Sequence, residues 1–332
     1  MIGAPPLVWI VGRGGLLGGA IDDLWSVDSK VVFWSPDAPV RWTDERVAAA
    51  QLIDGAHTFL RLASTERRPW RILWCAGAGV VATGADALAG ETRLNVAFLV
   101  GLGDALDLGV ARDLPGAYFL ASSAGGVYGG SASPPPYDEN SPVGAISPYG
   151  REKLAQESAA DDFARASDVP TLIGRISNLY GPGQDVSKPQ GLISQIGRAA
   201  LRRRAVSIYV SLDTIRDYLF VADAAVLITR AIERLEIEAA VGPRRQPGAV
   251  VKVIASEMDS TVASVLAAWR QVLPRAPGVA LAANPAAHLQ PRCLSFRSVV
   301  WPDLRIEPVP LPTGVHAVLQ DQLRRLRAGE LS

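Results

Sequence analysis

Tyr149 and Lys153 stand four residues apart in Ser147-Pro148-Tyr149-Gly150-Arg151-Glu152-Lys153, a spacing that can turn a phenol into a proton shuttle. Ser147 offers a hydroxyl to free backbone N–H groups, and Pro148 lacks only the N–H that the first helical position cannot use. A helix is expected to start here, with Tyr149 in its first turn. Positions i and i+4 share a helix face, so the Lys153 ammonium can lie beside the Tyr149 oxygen and favour phenolate over phenol. A tyrosine held in this way exchanges protons with an alcohol or sugar hydroxyl. The competing reading is a chance pair on a solvated helix. The chain of 332 residues holds seven tyrosines and four lysines, so chance supplies roughly 0.08 such pairs.

The pair gains weight if a dinucleotide site precedes it. Leu7-Val8-Trp9-Ile10-Val11 is a short apolar run, followed by Gly12-Arg13-Gly14-Gly15-Leu16-Leu17-Gly18 and a helical pattern from Ala20 to Trp25. Strand, glycine turn and helix in this order let the backbone approach a pyrophosphate, whose charge meets the N–H groups of the helix N-terminus. Gly12, Gly15 and Gly18 give the spacing G-x-x-G-x-x-G, whereas Gly12, Gly14 and Gly18 do not give G-x-G-x-x-G. Alone, the motif could be only a glycine-rich turn; ahead of Tyr149 and Lys153 it reads as a cofactor cradle.

The elements that must position these residues alternate. Strands are expected near 7–11, 30–34, 71–75, 117–121 and 170–176, and helices near 16–25, 46–62, 86–108 and 149–166, with Val40-Arg41-Trp42 as one further short strand. Such alternation predicts an α/β fold: a Rossmann-like doubly wound parallel sheet. Residues 129–146 contain Pro134-Pro135-Pro136 and too many breakers for an element, so a loop placed to cover a ligand is expected there. Beyond 177 the pieces shorten: a Gly-Pro-Gly turn at 181–183, helices near 190–203, 222–236 and 261–272, and strands near 206–210 and 249–254. The reading is a nucleotide-binding domain over 1–176 and a smaller C-terminal α/β substrate lobe over 177–332, with a return of the 216–237 segment to the first domain as the alternative. The cleft between them is the expected site.

Bulk composition narrows the class. A 48% hydrophobic chain of this length can bury a large core, and zero formal net charge gives no pull toward nucleic acid or a membrane surface. Arg202-Arg203-Arg204 reads as a solvated helix end. The N-terminal apolar run enters the glycine turn directly and reads as a first strand, not a signal peptide, and no stretch reaches membrane-spanning length. Two distant cysteines, Cys75 and Cys293, and scattered His57, His288 and His316 offer no metal site. Cys75 reads as a buried thiol in a reducing cytoplasm.

These residues together resemble the extended short-chain dehydrogenase/reductases, specifically the nucleotide-sugar epimerase/dehydratase family. The landmarks run over nearly the whole chain: Gly12 to Gly18, Cys75-Ala76-Gly77-Ala78, Asn95, Ser122-Ser123-Ala124-Gly125-Gly126-Val127-Tyr128-Gly129, Ser147 to Lys153, Arg175 to Gln184, and Arg216 to Asp223. The resemblance implies a bound NAD or NADP, hydride exchange at a sugar carbon, Tyr149 as acid and base, and Lys153 on the nicotinamide ribose. It implies cofactor contacts from Gly12, Arg13, Gly14, Gly15, Leu16, Leu17, Gly18, Cys75, Ala76, Gly77 and Asn95. It implies a nucleotide-diphosphate sugar held by Asn178, Arg216 and a late arginine, for which Arg292 is the candidate and Arg297 the second choice. Surface arginines and a turn asparagine are the alternative readings. A homodimer built on the 86–108 and 149–166 helices is implied as well.

Departures from the family pattern narrow the reaction. Dehydratases carry an acidic pair where this chain has Ala124, Gly125 and Gly126, which disfavours dehydration. Many 4-epimerases place a serine or threonine at the Ala124 position, so Ser123 or Ser122 must supply that hydroxyl, with Ala124 and Gly125 lining the sugar. The second strand ends without a carboxylate: Asp37 turned inward predicts NAD, whereas Ser35 and Arg13 facing the ribose predict NADP. Asp44 is a candidate adenine contact or a helix-start acid. The leading expectation is a sugar-nucleotide 4-epimerase. The rivals are an NADPH-dependent 4-ketoreductase and, from another class, a catalytically inactive dinucleotide-sensing or interaction protein.

Overall fold

All five residues of Leu7-Val8-Trp9-Ile10-Val11 are apolar, and alternate side chains of a strand point to opposite faces, so this strand must be covered on both sides. The computed structural model, which describes residues 4–28, 30–79, 83–187, 191–242, 248–273, 278–282 and 291–330, covers it so. Leu7, Trp9 and Val11 enter one core with Trp70, Ile72, Trp74, Phe59 and Phe98. Val8 and Ile10 enter a second with Ile21, Trp25, Leu73, Phe119 and Ile228.

In chain order the elements are β1 (Leu7–Val11), α1 (Leu16–Asp28), β2 (Val32–Phe33), α2 (Glu45–Glu66), β3 (Trp70–Trp74), α3 (Ala85–Asp107), β4 (Gly116–Ser123), α4 (Ala124–Tyr128), α5 (Pro148–Ser167), β5 (Thr171–Ile176), β6 (Asn178–Tyr180), α6 (Leu192–Leu201), β7 (Val206–Ile208), β8 (Ile215–Phe220), α7 (Val221–Val241), β9 (Val250–Ile254), β10 (Asp259–Thr261), α8 (Val262–Val272), β11 (Val279–Leu281), β12 (Cys293–Leu294) and α9 (Leu311–Arg327). Six parallel strands form the main sheet in the order β2-β1-β3-β4-β5-β9. Helices α2, α3 and α5 cover one face, while α1 and α7 cover the other. This is a Rossmann-like α/β fold. The order reverses between β1 and β3, and there the strand ends open a crevice for a ligand.

Local chemistry sets the helix starts. The Ser147 hydroxyl accepts from Gly150 N at 3.1 Å and Pro148 occupies the first turn of α5, while Asp44 accepts from Val47 N at 3.1 Å to cap α2. Val40-Arg41-Trp42 forms no strand. Gln51 satisfies that backbone instead, accepting from Arg41 N at 2.9 Å and donating to Pro39 O at 3.3 Å, which removes the need for a neighbouring strand.

Strands β6, β10 and β12 build a smaller sheet around β8, with β10 and β12 flanking it and β6 also pairing β8, while β7 and β11 pair with each other as a separate parallel ribbon. Helices α6, α8 and α9 close a third core around Trp269, Ile196 and Val318. The two sheets are threaded through each other in sequence: β9 joins the main sheet beside β5, and α7 packs with α1, although both follow residue 177. Among the described residues no helix is long and apolar enough to cross a membrane. His57 and His316 lie on different helices, α2 and α9, and His288 is outside the described residues.

Candidate active site

The parallel register carries the ends of β1, β3 and β4 to one edge. Val11 pairs with Trp74 and Trp74 with Leu120, so the turn after β1 meets Cys75-Ala76-Gly77 and the Ser122-Ser123 end of β4. Gly12 has φ 92°, and a Cβ there would stand 2.6 Å from Ala76 N, so only glycine fits this crossing. A Cβ on Gly18 would reach 2.4 Å from Gly12 O, which is how α1 comes down onto the turn. Gly14 is different: nothing lies within 4 Å of its open side. The result is bare backbone at a helix N-terminus, a cradle of the shape and polarity a dinucleotide pyrophosphate requires.

A cleft of about 730 Å³ runs from this cradle to the smaller lobe. Gly14, Gly15, Leu16, Leu17 and the Cys75–Gly77 segment line one end; Tyr149, Lys153, Ser122 and Ser123 line the middle; Asn178, Arg216, Tyr218 and the Val206–Val210 segment line the other. The structure therefore brings together most of the residues singled out from sequence. Tyr149 is half-buried and Lys153 is 7% exposed, with the ammonium 5.9 Å from the centre of the Tyr149 ring. Cys75 sits at the wall as a free thiol whose acidity burial suppresses, pushing it up to about 12 against the opposing pull of Lys153.

The two serines have separate tasks. Ser122 Oγ donates to Glu157 Oε1 at 2.5 Å and is 5% exposed. Ser123 Oγ accepts from Gly126 N at 3.2 Å, and its proton has no acceptor among the described residues. A Cβ on Gly126 would touch the Tyr149 ring at 3.2 Å and Ser123 Oγ at 3.3 Å, so the ring and the hydroxyl flank the same glycine. Ala124 is fully buried in α4, and Gly125 faces Leu294. Neither brings a carboxylate to the cleft.

Some expected contacts lie elsewhere. Asn95 is fully buried under the sheet, donating to Tyr118 Oη at 3.0 Å, and does not reach the cleft. Asp44 is the exposed cap of α2. Arg292 is 79% exposed and ion-paired with Asp213 instead of lining the cleft, and Arg297 pairs with Glu257. The 129–146 loop packs on the 293–299 segment through Tyr137, whose N–H donates to Ser295 O at 2.8 Å, so it braces α4 and does not roof the cleft. Ser35 and Asp37 are both exposed beyond β2. Arg13 reaches that strand end: its guanidinium lies 4.7 Å over the Phe33 ring and pairs with Asp22 at 2.7 Å. Arg216 lines the cleft without a carboxylate partner among the described residues, donating to Ile215 O, and burial lowers its pKa. An unpaired guanidinium held in this way is suited to an anionic ligand.

Four supporting groups were not evident from the spacing alone. Glu91 accepts from Ala78 N and Gly79 N, both at 2.7 Å, and shapes the loop after β3. Glu157 and Arg175 form a buried ion pair at 2.7 Å under Ser122, and Arg175 also donates to Tyr128 Oη at 2.6 Å. Gln156 accepts from Lys153 Nζ at 3.1 Å. Asp217, fully buried, accepts from Ser177 Oγ at 2.6 Å and from Ser256 N and Oγ, both at 3.0 Å. Glu157 could have been found, standing one helical turn beyond Lys153; the others depend on contacts between distant segments.

Comparison with known proteins bears on the family and the fold. The model of the NAD dependent epimerase/dehydratase family matches residues 8–242. The UDP-glucose 4-epimerase of Mycolicibacterium smegmatis is 29% identical over 180 residues, 54% of each chain. The dTDP-glucose 4,6-dehydratase of Neisseria gonorrhoeae is 29% identical over 130 residues, 39% of this chain and 36% of that one. The matched stretches thus span about half or less of these curated relatives. In structure, the UDP-glucose 4-epimerase of Thermotoga maritima, solved with UDP-glucose, superposes with a TM-score of 0.73 at 18% identity, covering 96% of this chain and 99% of that chain.

Proposed function

Because the chain belongs to the NAD dependent epimerase/dehydratase family, an extended short-chain dehydrogenase/reductase group of enzymes, we propose that it is a nucleotide-sugar 4-epimerase. One observation carries this reading: Tyr149, Lys153 and the free Ser123 hydroxyl meet midway along a cleft with a glycine cradle at one end and Asn178 and Arg216 at the other. The cradle fits a nicotinamide dinucleotide, held by the Gly12–Leu17 turn, the Cys75–Gly77 segment, Tyr149 and Lys153. Bound there, the dinucleotide supplies an acceptor and donor of hydride at the sugar carbon. Tyr149 removes the 4-hydroxyl proton as that hydride departs, and the Lys153 ammonium offsets the charge on the phenol oxygen. Ser123 donates to the sugar oxygen as it becomes a carbonyl. Arg216 and Asn178 hold the nucleotide diphosphate while the keto sugar turns its other face, and Tyr149 then returns the proton to the oxygen as the hydride returns to the carbon. The missing acids at Ala124 and Gly125 weigh against dehydration.

A second reading has its own observation. Arg13 over Phe33 puts a guanidinium, paired with Asp22, at the end of β2, and Asp37 is exposed beyond it; exchange of Asp22 for a 2′-phosphate would suit an NADPH-dependent 4-ketoreductase. The purified protein should be denatured and any retained dinucleotide identified by mass spectrometry. Retained NAD, with 4-epimerisation of UDP- or dTDP-hexoses, supports the epimerase. An empty protein that binds NADPH more tightly than NADH, with the preference lost in Arg13→Ala, supports the reductase. Failure to bind either dinucleotide would point to the inactive, interaction-protein reading. We further propose a homodimer through α3 and α5, consistent with exposed Val96 and Val100 on α3, and a reducing cytoplasmic setting for the free thiols Cys75 and Cys293. A monomeric mass by light scattering would overturn the dimer.

A further inference from the structure

An ammonium has three N–H donors and no acceptor, so the groups that take two of them decide where the third points. For Lys153 those groups are both protein: Nζ donates to Ala121 O at 3.3 Å, at the end of β4, and to Gln156 Oε1 at 3.1 Å, one turn along α5. Gln156 is 3% exposed, so this amide is sealed inside the protein behind the lysine.

The orientation of that amide is fixed from another helix. Gln156 Nε2 donates to Thr92 Oγ1 on α3 at 3.3 Å, and the Thr92 hydroxyl in turn points at Leu88 O, 3.5 Å away in its own helix. With Thr92 as acceptor, the amide must turn its carbonyl toward Lys153. The adjacent carboxylate, Glu157, is already taken by Arg175 and Ser122. Among the described residues the hydrogen-bond partners of the Lys153 ammonium are two neutral carbonyls, which hold it in place without a charge-cancelling ion pair.

We infer that Gln156, locked by Thr92, is a positioning residue that holds Lys153 with one N–H directed into the cleft. The inference rests on the reading that Lys153 contacts a nicotinamide dinucleotide. It explains why a polar side chain is buried at this place between α3 and α5, where packing alone would call for an apolar residue.

The test is a double-mutant cycle on dinucleotide affinity, measured by titration calorimetry with NAD and with NADP on the full chain, with melting curves for every variant. Lys153→Met should weaken binding, and Gln156→Met should weaken it about tenfold, the loss expected for one hydrogen bond to a charged group. In the Lys153→Met background, Gln156→Met should cause no further loss. Gln156→Glu, which keeps the reach but sets a carboxylate against the ammonium and gives up the donor to Thr92, should also weaken binding, because it cancels the charge that the two carbonyls leave in place. Should Gln156→Met fail to fold, Thr92→Val removes only the lock and can replace it in the cycle. Wild-type affinity in Gln156→Met, with Lys153→Met impaired, would overturn the inference alone. Equal losses in both backgrounds would assign Gln156 a general structural role and overturn it too. Wild-type affinity in Lys153→Met would remove the underlying reading, and the inference with it.

Discussion

At the scale of single residues, the chemistry depends on which hydroxyls have free protons. Ser123 accepts from Gly126 N and keeps its own proton for the cleft, whereas the proton of Ser122 goes to Glu157. Ser123→Ala is expected to lower kcat by about 10²–10³-fold with the fold retained, the scale for losing one donor to a developing oxyanion. Ser122→Ala should change kcat little and cost about 1 kcal/mol of stability, because Glu157 loses a donor. Steady-state kinetics and urea denaturation of the two variants separate these outcomes, and the reverse pattern would exchange their roles. Tyr149→Phe should lower turnover by about 10²–10⁴-fold while dinucleotide binding persists, as expected when an acid/base group is removed from an intact site.

At the scale of elements, the glycine turn and the floor of the site make opposite demands. Gly18 is a packing residue, since a Cβ there would collide with Gly12 O at 2.4 Å, so Gly18→Ala should lower the melting temperature. Gly14 has open space beside it, so Gly14→Ala should melt like the wild type yet bind dinucleotide more weakly. Melting curves and titration of the two variants would contradict this if both lost stability or neither lost affinity. Below β4 and β5, Glu157 and Arg175 are 7% and 9% exposed at their side chains. Glu157→Ala would leave a guanidinium buried without its charge partner, a change that typically costs about 3–5 kcal/mol, measurable by chemical denaturation.

At the scale of the whole molecule, Asp217 links the two lobes. It stands on β8 of the smaller sheet and receives hydrogen bonds from Ser177, just past β5, and Ser256, just past β9. Burial raises its carboxyl above the ordinary aspartate value, with those hydrogen bonds pulling the other way. The folded protein therefore takes up this proton before the unfolded chain does. The resulting stabilisation is complete below the ordinary aspartate range and is lost as pH rises through the folded value. Asp217→Asn can keep the same neighbours without the charge. Denaturation series should show the wild type losing stability relative to Asp217→Asn as pH rises above the ordinary aspartate range; a gain there would contradict the sign.

Local spacing by itself determined the strand, turn and helix around Gly12, the capped helix carrying Tyr149 and Lys153, and the alternation that makes a doubly wound parallel sheet. These are short-range facts: a capping hydroxyl, an i, i+4 face and an apolar run covered on both sides are encoded in neighbouring residues. Asn178 and Arg216, placed by motif, do line the cleft. Only the tertiary structure decided that Ser123 and not Ser122 has the free hydroxyl, that Asn95 is sealed beneath Tyr118, that Arg292 pairs with Asp213 and that β9 returns to the first sheet. Each of these depends on partners far apart in the chain, such as Ser122 with Glu157 or Ile176 with Ile254, and no local pattern specifies which of many polar groups will be buried together.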